Sequence, residues 1–503
     1  MPTITHFTTH DLRFPTSLTG DGTDAMNTSC DYSSAYLCLH TSSPSLSGYG
    51  MTFTIGRGND IVCTTISQLA QKLIGKDTQD LFSNMGATWD FLLSDPQLRW
   101  IGPEKGVIHI ATGAVDNALW DMYARSVGKP VWKLVCDMSP EEVVKSMAWR
   151  YISDALTKEE ALDMLKGMQA GKGQREEEVK RVGYPAYVTS AGWLGYSDAK
   201  ITSLTLDALT KGFTHFKLKV GNNLADDLRR AKLIRSLIDD PVHLTEEERA
   251  KVSDPSSPRN PHHPSLSGKN PGPTGCVLMV DANQVWEVPQ AIEYVKGLAE
   301  VRPWFIEEPT APDDILGHAR IRRELQNIPS NPNRVVPEPF SLAPEGHRDK
   351  ITISVATGEH AHSRILFKQL LQASAIDVAQ IDSCRLAGVS EVLSVLMLCK
   401  KFNIPVCPHA GGVGLCEYVI HLSLIDYILI SGSMERNVLE YVDHLHEHFE
   451  WRCRIKEGPG GGRYIVPTNP MEGYSIKMYE SSIKEYEFPG GSYWEGRRRD
   501  GTL

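Results

Sequence analysis

Long apolar runs are missing from this 503-residue sequence. None approaches the roughly 20 residues that span a bilayer, so no membrane-spanning helix is expected. The most apolar stretch, VIHLSLIDYILI at 419–430, is short and broken by Asp426. It reads as a buried element of a folded domain. Positive charge is also in deficit: 52 Lys and Arg against 62 Asp and Glu give a formal net charge of -10. A nucleic-acid surface needs the opposite excess, which argues against such a partner. The ten cysteines show no C-x-x-C spacing. That speaks against a disulfide framework or a zinc site, and for reduced thiols in a cytoplasmic protein. The opening residues, MPTITHFTTHDLRFPTS, lack the apolar stretch of a secretory signal. What is present, 41% hydrophobic and 23% charged residues, is ordinary for a globular chain with room for two or three folding units.

Residues 1–142 read as a small α+β domain. AYLCLH (35–40) and MTFTI (51–55) flank a Ser/Gly-rich turn and predict a hairpin. Ile66, Leu69, Ala70 and Leu73 share one helical face. A second helix, through Val115, Leu119 and Met122, stops at Gly128 with Pro130 beyond. From 143 to 445 the pattern becomes strands alternating with helices. The predicted strands are VKSMAWRYI, THFKLKVG, CVLMVDAN, RPWFIEEP, ITISVATGE, AIDVAQID, IPVCPHAG and a last one ahead of Glu440. Between them, Leu224, Leu228, Ala231 and Leu237 mark one helix face, and Thr157 with Glu160 forms a capping box. Eight such units predict a parallel α/β barrel with functional groups at the C-terminal strand ends. Two stretches, 240–275 and 327–350, are rich in Pro, Ser and Gly and read as surface insertions. The first is expected to lack apolar anchors, to sit opposite the active end, and to be dispensable for chemistry. Residues 446–503 are expected to pack back on the first domain.

Chemistry concentrates where the predicted strands end. Asp281, Glu307 and Glu359 each follow an apolar strand. Three carboxylates at one barrel mouth repel one another unless a cation sits among them, and oxygen-only ligands suit Mg²⁺. In FKLKVG, Lys217 and Lys219 stand two apart and so share a strand face. Mutual repulsion and burial are expected to lower both pKa values and make Lys219 a usable base. His409, in VCPHAGG, and Asp382, in VAQID, end adjacent strands, where a carboxylate can set the imidazole's tautomer. Glu440 is a weaker candidate on spacing alone.

At these residues the sequence resembles the mandelate racemase subgroup of the enolase superfamily. The Lys-x-Lys pair, the three carboxylates and the His–Asp dyad all match. Longer phrases, including GTDAMN, FTIGRGN, TSAGWLGYSD, VDANQ, IEEPTAPDD and CPHAGGVGLCE, are similar in order and content to the L-fuconate dehydratases of that subgroup. The resemblance implies an N-terminal capping domain (1–142), a (β/α)7β modified TIM barrel (143–445) and a C-terminal segment (446–503). It implies Mg²⁺ on Asp281, Glu307 and Glu359, and catalysis by Lys217, Lys219, Asp382, His409 and Glu440. It implies substrate contacts from Asp24, Trp193, Asn283, Lys217 and Glu440, and assembly as a homo-oligomer. The reaction implied is dehydration of an acid sugar, most simply L-fuconate, to its 2-keto-3-deoxy acid. Another sugar acid such as L-galactonate or D-arabinonate, a racemase, or a non-catalytic binding protein are the alternatives.

Overall fold

Three antiparallel strands open the chain: β1 (Ile4–Arg13), β2 (Ser33–Thr41) and β3 (Ser47–Thr54). The structure is a computed structural model, and it describes residues 2–326, 328–329 and 350–501. The predicted 35–55 hairpin is β2–β3, its turn closed by Thr41 Oγ1 donating to Leu46 O at 2.9 Å. Helix α1 (Asn59–Gln71) buries Ile66, Leu69 and Ala70, and Leu73 follows them into the core just past its end. Helix α2 (Gly106–Ser126) ends before Gly128, which takes φ +65° as the stop requires. Strand β3 lies directly on α2 because Gly48 and Gly50 carry no side chain. A Cβ at Gly50 would stand 2.2 Å from Ala114 O, and one at Gly48 2.3 Å from Ala118 O.

Helix α2 is buried almost all round because its far side docks on the barrel. Trp120 Nε1 donates to Ser390 Oγ (3.1 Å), and His109 Nε2 meets Glu391 at 2.7 Å. Nearby, Trp89 Nε1 donates to Ala387 O at 2.7 Å. These joins hold the first domain over one mouth of the barrel.

The barrel strands are β4 (Tyr184–Val188), β5 (His215–Lys219), β6 (Val277–Asp281), β7 (Phe305–Glu307), β8 (Ser354–Thr357), β9 (Val378–Ala379) and β10 (Leu439–Tyr441). Neighbours pair in parallel in that order. Residues 405–409 supply one more stave, bridged to β9 at Ala379–Val406, and β10 closes the ring by pairing with β4. Inside, Tyr187, Val277, Met279, Phe305, Ala356 and Val378 form a separate apolar plug.

Two expectations need correction. The first stave is β4, not VKSMAWRYI. Ser139 and Glu142 form a full capping box with Pro140 in the first turn, so 140–146 is helical. Met147 to Ile152 then turn beneath the barrel helices, with Ala148 N–H donating to Ser390 O. The helix over Leu224–Ile238 turns Ala231, Ile234 and Ile238 inward, and Leu237 is only half-buried.

The 240–275 insertion lies at the N-terminal end of the strands, as expected, but it has an apolar anchor. It forms a helix at Glu246–Ser253 with its own capping box, then returns so that Leu266 packs into the barrel plug. Lys269 is buried beside it over the Trp304 ring. The 327–350 insertion lies almost wholly outside the described residues.

Beyond the barrel, β11 (Ile455–Lys456) and β12 (Arg463–Tyr464) form a hairpin, and β12 adds to β4. The chain then runs to the first domain: Tyr36 Oη donates to Ile476 O at 3.1 Å, and Phe488 N–H donates to Asp11 O at 2.7 Å.

Candidate active site

Register brings the strand-end groups to one level. Lys219 is the partner of Asp281 across β5–β6, and Asp281 of Glu307 across β6–β7. Glu359 follows β8, Asp382 follows β9, His409 ends the 405–409 stave, and Glu440 lies on β10. They surround a cavity of about 240 Å³ under the first domain. Asp24, Trp193, Lys219, Asn283, Glu359, Asp382, His409 and Glu440 line it. Lys217, Asp281 and Glu307 lie one layer beneath, almost fully buried.

Ligand oxygens of Asp281, Glu307 and Glu359 come within 4.8 Å of one another. Glu359 Oε2 is buried and has no hydrogen-bond partner among the described residues. This all-oxygen set fits a hard divalent cation such as Mg²⁺. Glu308, Glu359 and His360 form a second group of the same spread, so Glu359 is common to both.

The lysines occupy this anionic cluster. Lys219 Nζ bonds Asp281 Oδ2 at 2.5 Å. Lys217 Nζ stands 2.8 Å from Glu307, 2.9 Å from Glu440 and 3.4 Å from Asp281. Burial pushes both ammonium groups down, while the carboxylates around them, which a bound cation would share, push both up. Sequence reasoning counted the two lysines against each other and left out the acids opposite. Conversely, burial and the charge of Asp281 push Glu307 up to about 8, while the lysines hold Asp281 down against its burial.

His409 and Asp382 meet as expected from adjacent staves, Nδ1 to Oδ2, at 2.7 Å. Asp382 Oδ1 is fixed by N–H bonds from Cys384 (2.7 Å) and Arg385 (2.6 Å). Nε2 of His409 lies at the cavity, where it accepts from Gly411 N–H at 3.2 Å and stands 3.7 Å from Glu359 and 3.9 Å from Glu440. Burial disfavours the imidazolium, but Glu359, the Asp382 bond and Glu440 together push it up to about 10.

The expected substrate contacts divide. Trp193 presents its ring to the cavity and packs edge-on to His444 at 5.4 Å. Asn283, at φ +45°, has a buried side-chain oxygen without a partner among the described residues. Asp24 reaches the cavity, but its carboxylate already accepts from Met26 N (2.7 Å), Asn27 N (2.7 Å) and Asn27 Nδ2 (3.0 Å). It shapes the 20–31 loop as much as it offers a contact. Lys217 does not reach the cavity. Sequence reading missed Arg385, His360, Tyr32 and Arg57, which also line it. The first two directly follow recognised strand ends, in GEH and DSCR, and that proximity was the available signal.

A capped ring of parallel staves, with acids, lysines and a His–Asp pair facing one chamber, defines the enolase type of barrel. Family comparison agrees at both ends. Residues 23–136 match the mandelate racemase / muconate lactonizing enzyme N-terminal domain, and residues 269–330 and 335–482 match the enolase C-terminal domain-like family. The chain belongs to the enolase superfamily. It is 48% identical over 496 residues to an L-galactonate dehydratase of Hypocrea jecorina, covering 98% of this chain and 96% of that one. It is 46% identical over 493 residues to human mitochondrial enolase superfamily member 1, covering 98% and 97%. The crystal structure of the human protein superposes with a TM-score of 0.85 over 98% of each chain. An L-talarate/galactarate dehydratase from Salmonella typhimurium, liganded with Mg and L-lyxarohydroxamate, shares the fold at 20% identity, with a TM-score of 0.61 over 95% and 90%. No helix among the described residues is long and apolar enough to cross a membrane. The ten cysteines are free thiols, nine of them buried.

Proposed function

We propose that this chain is a Mg²⁺-dependent sugar-acid dehydratase acting on a six-carbon aldonate of L-galacto configuration, L-fuconate or L-galactonate. The observation that carries the reading is the convergence of Lys219 and the Asp382-held His409 on one small cavity floored by three carboxylates. The two acids share their configuration from C2 to C5 and differ only in the C6 hydroxyl. The phrases quoted above favour L-fuconate, and the Hypocrea jecorina relative favours L-galactonate.

A divalent cation on Asp281, Glu307 and Glu359 supplies Lewis acidity toward the substrate carboxylate. Lys219 removes the C2 proton, and His409, held by Asp382, protonates the departing 3-hydroxyl. Lys217 and Glu440 hold each other and Glu307 in place, so the floor keeps its shape. Trp193 and Asn283 orient the polyol. Each positioned proton transfer contributes about 10²–10⁴-fold.

The test is a panel of aldonates and aldarates assayed with Mg²⁺ for 2-keto-3-deoxy product. Turnover of L-fuconate or L-galactonate above all other acids supports the reading. Tight binding with no product, or a C2 epimer as the sole product, overturns it.

A further inference from the structure

At the opposite end of the barrel lies a second cavity of about 470 Å³, formed where the insertion, the foot of β5 and the β11–β12 hairpin meet. Nothing in the dehydration chemistry uses it. His215, the first residue of β5, turns inward on the same face as Lys217 and Lys219. Its Nδ1 is shared with Thr214 Oγ1 at 2.8 Å, but its Nε2 is buried and has no partner among the described residues.

Three cations surround this ring. The Lys269 ammonium is buried and donates only to Glu435 O at 2.7 Å, over the Trp304 ring. The Arg463 guanidinium donates to Gly183 O at 2.9 Å. Arg259 donates to Cys276 Sγ at 3.6 Å. Among the described residues none of the three has a carboxylate within 4.0 Å. Every charge that acts appreciably on His215 comes from them and is positive. The acids on the cavity wall act on these cations only from beyond ion-pair distance: Glu178, which accepts from Tyr427 Oη, acts on Arg463, and Glu435, whose main chain takes the Lys269 bond, acts on Lys269. Glu248 is bound in the Thr245 capping box. Lys251, also on the wall, is paired with Glu247. Of the three, Lys269 is the buried one, and a buried ammonium is costly without a counter-ion. Burial accordingly pushes the Lys269 ammonium down to about 8.

We propose that this cavity binds a small organic phosphate monoester, its phosphate held by Lys269, Arg259, Arg463 and the free nitrogen of His215. Three converging cations call for a dianion rather than a monocarboxylate. The volume falls within the range of organic-ligand pockets and exceeds what a bare ion fills.

The test is calorimetric titration of the full-length protein, in chloride buffer of fixed ionic strength, with glycerol 3-phosphate, inorganic phosphate and glycerol. Saturable binding of glycerol 3-phosphate is expected, weakened at least tenfold in both Lys269→Met and Arg259→Gln and retained in Lys219→Ala. Arg259 is half-exposed, so its variant keeps the test valid if Lys269→Met fails to fold. Inorganic phosphate binding as tightly as the ester would show an ion site only and overturn the organic ligand. No saturation by about 10 mM, or binding lost in Lys219→Ala but kept in the two cation variants, would overturn the site itself.

Discussion

Replacing Leu266 by alanine isolates what the 240–275 insertion does. Leu266 is 5% exposed and belongs to the apolar plug inside the strand ring. The change removes three carbons, and at about 0.8 kcal/mol per methylene that costs about 2.4 kcal/mol. In a sealed core, the void left behind would add about 24 cal/mol per Å³. Here the side chain also lines the 470 Å³ cavity, so the new space joins an existing one that admits water, and this contribution drops out. The expected loss is therefore about 2–2.5 kcal/mol rather than the 4–5 of the most rigid sites. Urea unfolding followed by tryptophan fluorescence reads it as a lower midpoint at unchanged slope. Turnover should stay within about two-fold, because Leu266 is at the far end from the reacting groups. A loss below about 0.5 kcal/mol, the scale of surface substitutions, would refute the anchoring argument. A tenfold fall in kcat at full stability would show instead that the insertion shapes the active end.

Three other outcomes are expected. Stripping divalent ions with EDTA should abolish dehydration and added Mg²⁺ should restore it; full activity in a metal-free sample, checked by elemental analysis, would remove the carboxylate floor from the chemistry. Lys219→Ala should stop both dehydration and exchange of the C2 proton in D₂O, whereas His409→Asn should stop dehydration yet allow exchange, as read by proton NMR; the reverse pattern would swap base and acid. Asp116 is buried against Ser390, and burial raises its carboxyl from near 3.8 to about 8. A raised folded pKa means the group's stability contribution is full below about pH 4 and is lost as pH rises through about 8. Asp116→Asn should therefore flatten the fall in unfolding midpoint between pH 5 and 8, and an unchanged slope would contradict the assignment.

The strand-end acids were legible because each terminates an apolar run too short to be a helix, and parallel pairing then fixes their level. The His–Asp pair followed from the same logic on adjacent staves. The first stave was hidden because YPAYV is five residues with a proline in second place, while the aromatic MAWRYI nearby looks more strand-like. Ser139 and Glu142 decide that contest by nucleating a helix ahead of it. The insertion was misjudged because composition averages over 36 positions, and one leucine suffices to anchor a loop. The acids that face the two lysines were not legible, because a sequence shows which charges are adjacent along one strand, not which face them from the next.

The turn after β9 serves two masters. Asp382, which orients His409, is held by the N–H groups of Cys384 and Arg385. The carbonyls of Ser383, Cys384 and Ala387 in that same turn receive Asn117, Thr52 and Trp89 from the first domain. Swinging that domain off the barrel would drag the histidine's partner with it, so a hinged opening is incompatible with a preset acid. The 20–31 segment, by contrast, meets the barrel through few polar contacts, Leu194 N–H to Thr23 O, Tyr196 Oη to Asp21 and Lys200 to Asp21, and leaves Met26 in solvent. A cap so tied leaves the adjustment of the chamber to short segments of this kind and not to a domain.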